Sequence, residues 1–505
     1  MSTTAGGQRL TALAGPARLT VADELSCYYD TAAEPNNVHL EARPATRLDE
    51  QALRAAVLRV LAAHPRARAR LVPGRPWQRP AWEFPPHPEA AVLRSASWAD
   101  EDELACIREQ FLGQAPSLRS SPPVTFLLAT GPDEDVVLLK ANHAALDGMS
   151  CLTLLRDVAR CYRGLPVAAE PTLAGDHAPA VDELRDGAAV SQPGASGRPR
   201  AAPSPAGARH SPGRRPRRAA RIAGQRAAAH RRPERGTDGY GVVLTQAAVP
   251  LPARPSAATV NDVMIAALIV AISRWNAARG AEHGLIRITV PIDARPAGQA
   301  RATGNLSRLS AVSALPVTEA SGLRRLLDAV AAQTVTAKQD AGPQVGGMHR
   351  LLAGLPAPAA AKKRLVRAGL RLAGPLVCDT SLLSNLGRVS DPPAFGPGEA
   401  ARLWFSTSAH MPRGLSVGAV TVGDTLQLCF RYRRALFDPA AANAFAACFE
   451  QAVAALCGLQ DRKVTTDQAS TEGTVHAAGV IAAADTRLPH RQARADVLRR
   501  PGNAL

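Results

Sequence analysis

KANHAALDGMS, residues Lys140 to Ser150, lies between two runs of different periodicity. Before it, Val136–Ala141 is an apolar run of strand length. After it, Leu152, Leu155, Val158 and Tyr162 share one face at helical spacing. The segment reads as strand, turn and helix, and it delivers His143 to a strand end, where loops expose side chains to a site. An imidazole titrates near neutrality and can take a proton from an attacking hydroxyl or amine. Asp147 lies across a tight turn, placed to hold that turn through an ion pair. Gly148 permits a close approach that a Cβ would block. From the residues alone, His143 is either a base aimed into a site or a turn residue between strand and helix.

The chain of 505 residues has room for two domains or one two-lobed unit. Hydrophobic residues make up 46% and aromatics only 4%, so the core must rely on Ala, Leu and Val. The net charge of +17 invites a nucleic-acid or membrane reading, but it is concentrated. Residues 187–236 hold 12 Arg, no Lys and one acid, which leaves +6 over the rest of the chain. Neither interleaved aromatics nor a recognition motif accompanies these arginines, so nucleic acid is not an expected partner. An acidic carrier protein or an anionic surface remains open to them. The eight cysteines are scattered and form no C-x-x-C pair, which gives a zinc site or disulfide framework little support. The first twenty residues have no continuous apolar run of signal-peptide type. The most apolar stretch, Val263–Ile272, is too short to span a bilayer. A cytoplasmic monomer is expected.

Residues 1–165 form a first lobe. In it, LDEQALRAAVLRVLAAHPRARARL reads as a helix with Leu53, Val57, Val60 and Leu61 on one face, ended near Pro65. VTFLLAT and DVVLLKANH form a strand pair around the turn signal GPDE. Residues 166–239 are rich in Pro, Gly, Ala, Ser and Arg and read as a flexible linker. A second lobe spans 240–460. It opens with a strand, GVVLTQAAV, and a helix, TVNDVMIAALIVAISRWN, whose Thr259 and Asp262 have capping-box spacing. A strand that empties into the loop PIDARP comes next, then a hairpin turning at Gly423-Asp424 and a closing helix. Residues 461–505 are a low-order tail. Strands and helices in both lobes give an α/β class.

NHAALDG resembles the HHxxxDG signature of the chloramphenicol-acetyltransferase-like superfamily. That superfamily includes nonribosomal-peptide condensation domains, polyketide-associated acyltransferases, wax ester synthases and alcohol acyltransferases. TVNDVMIAALIVAISRW, VPIDARP with Gly304-Asn305, SNLGRV and the first-lobe helix with its His-Pro also resemble family segments, in family order. The resemblance implies two lobes arranged as a V with the active-site tunnel at their junction. It implies transfer of an acyl group from an acyl-CoA or phosphopantetheine thioester to an alcohol or amine, as in lipid or peptide biosynthesis. No tightly bound cofactor and no metal is implied. The partners are a small-molecule acceptor, the acyl thioester and, where the donor is so attached, an acyl or peptidyl carrier protein. His143 takes the place of the general base, and Asp147 that of a residue paired with an arginine of the second lobe, for which Arg295 is the candidate. Asn305, Ser384, Asn385 and His410 are candidates for binding an oxyanion or lining the tunnel; as residues alone, the Asn and Ser read first as turn-forming and His410 as structural.

One departure stands out. Asn142 replaces the first histidine of the signature. Neighbouring strand side chains point to opposite faces, so residue 142 should face away from the site that His143 enters. Its amide would then support the loop. A docking module without turnover is the alternative that this substitution supports, and an anionic-partner protein acting through the Arg-rich stretch is a further one. GLSVG, Gly414–Gly418, fits the G-x-S-x-G pattern of serine hydrolases, but that motif needs a strand–elbow–helix and Ser416 lies in a run that continues as strand.

Overall fold

The computed structural model describes residues 16–72, 78–168, 218–224, 239–249, 258–281, 284–339, 351, 354–355, 357–396 and 401–458. The tail from 461 and most of the Arg-rich stretch lie outside these. In chain order the first half contains β1 (Ala17–Arg18), α1 (Val21–Tyr29), β2 (Asn37–Arg43), α2 (Glu50–Ala63), β3 (Arg70–Val72), β4 (Ala81–Glu83), β5 (Leu93–Ser97), α3 (Glu101–Leu112), β6 (Val124–Thr130), β7 (Asp135–Asn142) and α4 (Gly148–Tyr162). The second half contains β8 (Tyr240–Ala248), α5 (Val260–Ala277), β9 (Ile286–Asp293), β10 (Ser307–Ala314), α6 (Ala320–Gln339), α7 (Ala359–Val377), β11 (Ser381–Val389), β12 (Arg402–Ser406), β13 (Leu415–Val422), β14 (Thr425–Arg433) and α8 (Pro439–Cys457).

Two large sheets organise these elements. One has the order β12-β2-β7-β6-β5 and the other β10-β9-β11-β13-β14-β8, with a small sheet β1-β4-β3 beside them. The helix α2 starts where Asp49 accepts the Ala52 amide at 2.7 Å and stops at His64-Pro65. Its Leu53, Val57, Val60 and Leu61 are fully buried against the first sheet's core. α5 begins with a reciprocal capping box between Thr259 and Asp262, and every residue from Asp262 to Ser273 is buried. By length and composition alone the whole of α5, 18 residues, could cross a bilayer. It is instead the central helix of the second core. β13 and β14 form the hairpin around Gly423, whose φ of +56° suits the two-residue turn.

The lobe boundaries need two corrections. β12, from the second half, pairs antiparallel with β2 and completes the edge of the first sheet. The two sheets meet where β13 passes β12. A Cβ on Gly418 would stand 1.8 Å from the Phe405 carbonyl oxygen, so glycine is required by the close approach. The second correction concerns residues 218–224, inside the stretch read as a linker. Ala220 and Ile222 are buried in the second core, and the Trp275 indole donates to the Ala223 carbonyl at 2.8 Å. Asn276 accepts the Ala223 amide at 2.8 Å and donates to the Arg221 carbonyl at 2.7 Å. These bonds satisfy the backbone, so a segment without its own helix or strand can be buried.

Candidate active site

β7 is buried along its whole length and ends at Asn142. The chain then turns through residues 143–147 and enters α4, whose N-cap is Asp147. This turn places neighbouring residues in opposite surroundings. Asn142 is fully buried and does not line the large cavity. Its amide donates to Asp30 at 2.9 Å and to the Pro116 carbonyl at 3.1 Å, and its oxygen accepts the Ala144 amide at 3.1 Å. It ties the motif to the end of α1. His143 lies on the wall of a cavity of 1240 Å³. Its Nδ1 is buried without a hydrogen-bond partner among the described residues. Burial lowers the imidazole below its ordinary pKa, against its own backbone and the carboxylates of Asp147 and Asp23. A neutral ring at physiological pH can accept a proton.

Asp147 is a junction between the halves of the chain. Its Oδ1 accepts from the Ser150 amide at 2.9 Å, the Ser150 hydroxyl at 2.8 Å and Arg295 Nη2 at 2.7 Å. Its Oδ2 accepts the Leu306 amide at 2.9 Å and the Ser307 hydroxyl at 3.4 Å. Its own amide donates to the Gly304 carbonyl at 2.9 Å. Among the described residues none of its hydrogen bonds goes to His143. Burial pushes its carboxyl up, but Arg295 and the amides of Ser150 and Leu306 outweigh that and hold it below the usual range. Arg295 is fixed in turn by the Ala302 carbonyl at 2.9 Å, the Ser150 hydroxyl at 2.9 Å and Asp293 at 2.9 Å. Ser150 was not singled out in the sequence. Its spacing of three residues from an N-cap aspartate is the signal that would have found it. Gly148 lines the cavity, and a Cβ there would meet the Phe405 ring at 2.7 Å and Leu386 at 2.9 Å.

Asn305, Ser384, Asn385 and His410 line the same cavity as His143. Asn305 donates to the Ser26 hydroxyl at 3.2 Å. Ser384 and Asn385 belong to β11, not to a free turn. The register of β11 shifts between Asn385 and Arg388, and Asn385 accepts the Gly387 amide at 2.8 Å across that bulge. His410 is 3.3 Å from the Glu34 carbonyl through Nε2, and burial followed by the Arg413 charge pushes its pKa down to about 3. Ser416 is not brought to the site. It is fully buried within β13, and its hydroxyl donates to the Thr407 carbonyl at 2.8 Å. Tyr29, Arg367 and Arg413 are among the further cavity residues that the sequence reading missed. No group of three or more metal-ligating side chains is assembled among the described residues.

No family model matches the chain. The uncharacterized protein Rv2305 of Mycobacterium tuberculosis (strain ATCC 25618 / H37Rv) is 31% identical over 424 residues, covering 82% of this chain and 93% of that protein. The uncharacterized protein MT2362 of strain CDC 1551 / Oshkosh matches with the same identity and coverage. Among solved structures, the first condensation domain of the calcium-dependent antibiotic synthetase in complex with a substrate analogue has a TM-score of 0.58 at 16% identity, covering 89% of this chain and 97% of that one. A mutant starter condensation domain of rhizomide synthetase in complex with C8-CoA and Leu-SNAC has a TM-score of 0.55 at 13% identity, covering 89% and 97%. The epimerization domain from the third module of tyrocidine synthetase B has a TM-score of 0.52 at 13% identity, covering 88% and 98%. The chain belongs to the family of Rv2305, and its two-lobed fold is that of the condensation domains of nonribosomal peptide synthetases.

Proposed function

We propose that this chain is an acyltransferase that moves an acyl group from a CoA or carrier-protein thioester to an alcohol or amine. The observation that carries this reading is the position of His143 on the wall of a large cavity. In the proposed step Nε2 takes the proton as the acceptor's oxygen or nitrogen attacks the thioester carbonyl. The C–S bond then breaks, and the departing thiolate receives a proton. Holding both substrates across one imidazole supplies much of the rate. Asn305, Ser384 and Asn385 are the groups available to the oxyanion. Asp147 and Arg295 act as positioning residues, because their hydrogen bonds fix the turn that carries His143.

The test is thioester consumption by purified protein with acyl-CoA or acyl-pantetheine and a panel of alcohols and amines. His143→Ala should lower transfer by about 10²–10⁴-fold with the melting temperature and circular dichroism unchanged. Transfer that survives this substitution removes the base from the reading. Saturable thioester binding without turnover by the intact protein would favour the docking module.

A further inference from the structure

The cavity that contains His143 is also lined by Arg367 and Arg413. Among the described residues, neither has a carboxylate at ion-pair distance. Arg413 donates from Nη2 to the Thr289 hydroxyl at 3.4 Å, and Arg367 from Nη2 to the Asp30 carbonyl at 3.3 Å, both long bonds to neutral acceptors. The Nε of each is buried and unpartnered among the described residues.

The Arg367 charge acts on the Asp30 carboxylate, which accepts the Asn36 amide at 3.0 Å and the Asn142 side-chain amide at 2.9 Å, and the other acids nearby have partners of their own. Asp379, whose charge acts on Arg413, binds Arg287 at 2.8 Å and accepts the Thr289 hydroxyl. Asp293, on the cavity wall, is paired with Arg295 at 2.9 Å. Glu34, also on the wall, accepts the Met411 amide at 2.7 Å. The two arginines converge on one end of α1. Arg367 reaches the carbonyl of Asp30, and the charge of Arg413 acts on the neighbouring Tyr29 hydroxyl and on His410. Both guanidinium groups are partly buried, and with no carboxylate at ion-pair distance each has room for an anion as its counter-charge. A planar guanidinium presents paired donors that match a carboxylate or a phosphate.

We propose that the Arg413–Arg367 end of this cavity binds the anionic group of a substrate, a carboxylate or a phosphate, whose apolar part lies along Leu25, Leu382 and Met411 of the same wall. That the bound molecule is a substrate rests on the acyltransferase reading; the anion site itself stands on the arginines.

Calorimetric titration of the full chain with octanoate, octyl phosphate and octan-1-ol at constant ionic strength tests it. At least one of the two anions should bind ten-fold or more tightly than the alcohol, and the pair of anions distinguishes carboxylate from phosphate. Arg413→Gln should weaken that anion ten-fold or more and leave octanol unchanged. Arg367→Gln makes the same test where the first variant does not fold. Octanol binding as tightly as both anions, or anion binding untouched in both variants, overturns the proposal. Transfer assays with an acyl N-acetylcysteamine thioester, which carries no phosphate, separate the two readings. Anion binding without turnover on any acceptor sinks the acyltransferase reading alone. Turnover without anion preference sinks the anion site alone.

Discussion

The Asp147–Arg295 pair offers a quantitative test of how the two halves are joined. The side chains are 1% and 2% exposed and their nearest atoms are 2.7 Å apart. Replacing Arg295 by Met removes the cation and leaves a buried carboxylate held only by Ser150, Leu306 and Ser307. Breaking a buried pair from one side costs about 3–5 kcal/mol. Replacing Asp147 by Ala leaves the guanidinium only the half-exposed Asp293 as a counter-charge and also removes the N-cap of α4, worth about 1 kcal/mol more. The double variant buries no unpaired charge, so it should be less destabilised than the sum of the singles by up to about 3 kcal/mol. Urea unfolding followed by tryptophan fluorescence measures all four proteins. The effect must also depend on pH with a fixed sign. The native carboxyl is held below its ordinary value, so the pair's contribution is fully present above the unfolded value of about 3.9 and disappears as pH falls through the native one. The wild-type advantage over Arg295→Met should therefore shrink below about pH 4. Single variants whose costs simply add, to within about 0.5 kcal/mol, would refute the coupling.

Two further outcomes follow from burial. Gly418→Ala forces a methyl to within 1.8 Å of the Phe405 carbonyl oxygen, so β13 and β12 must separate; the loss should exceed about 3 kcal/mol, and an unchanged melting temperature would deny the close crossing. His39 and His410 are both held neutral by burial, with pKa values pushed down to about 3. The unfolded chain takes up a proton at each near pH 6.5, so stability should fall as pH drops from there towards 3, by about 1.4 kcal/mol per pH unit for each group. His39→Gln should flatten that slope in acid titrations followed by circular dichroism.

Much of this architecture was legible from periodicity. The helix with Leu53, Val57, Val60 and Leu61, the pair β6–β7, α5 and the β13–β14 hairpin each carry their own pattern of apolar residues and turns. α1 did not, because its buried positions include Asp23 and Glu24, whose partners Arg66 and Arg79 lie far along the chain. β12 is five residues long, and nothing local in RLWFS says which sheet it joins. The burial of Ile222 depends on Trp275 and Asn276, some fifty positions later, so composition alone marks that segment as linker. Within the site, the signature located His143 and Asp147. Arg367 and Arg413 were invisible because what sets them apart is the lack, among the described residues, of an acid at ion-pair distance, a property of packing.

β12 also has a bearing on how the molecule is made. The edge of the first sheet beside β2 stays open until residues 402–406 have been synthesised. A nascent chain, or a fragment cut after Leu165, exposes a strand of unpaired amides and carbonyls able to pair with another copy. The first lobe must therefore wait for nearly all of the second before it can close, and a truncated gene product should aggregate where the whole chain folds.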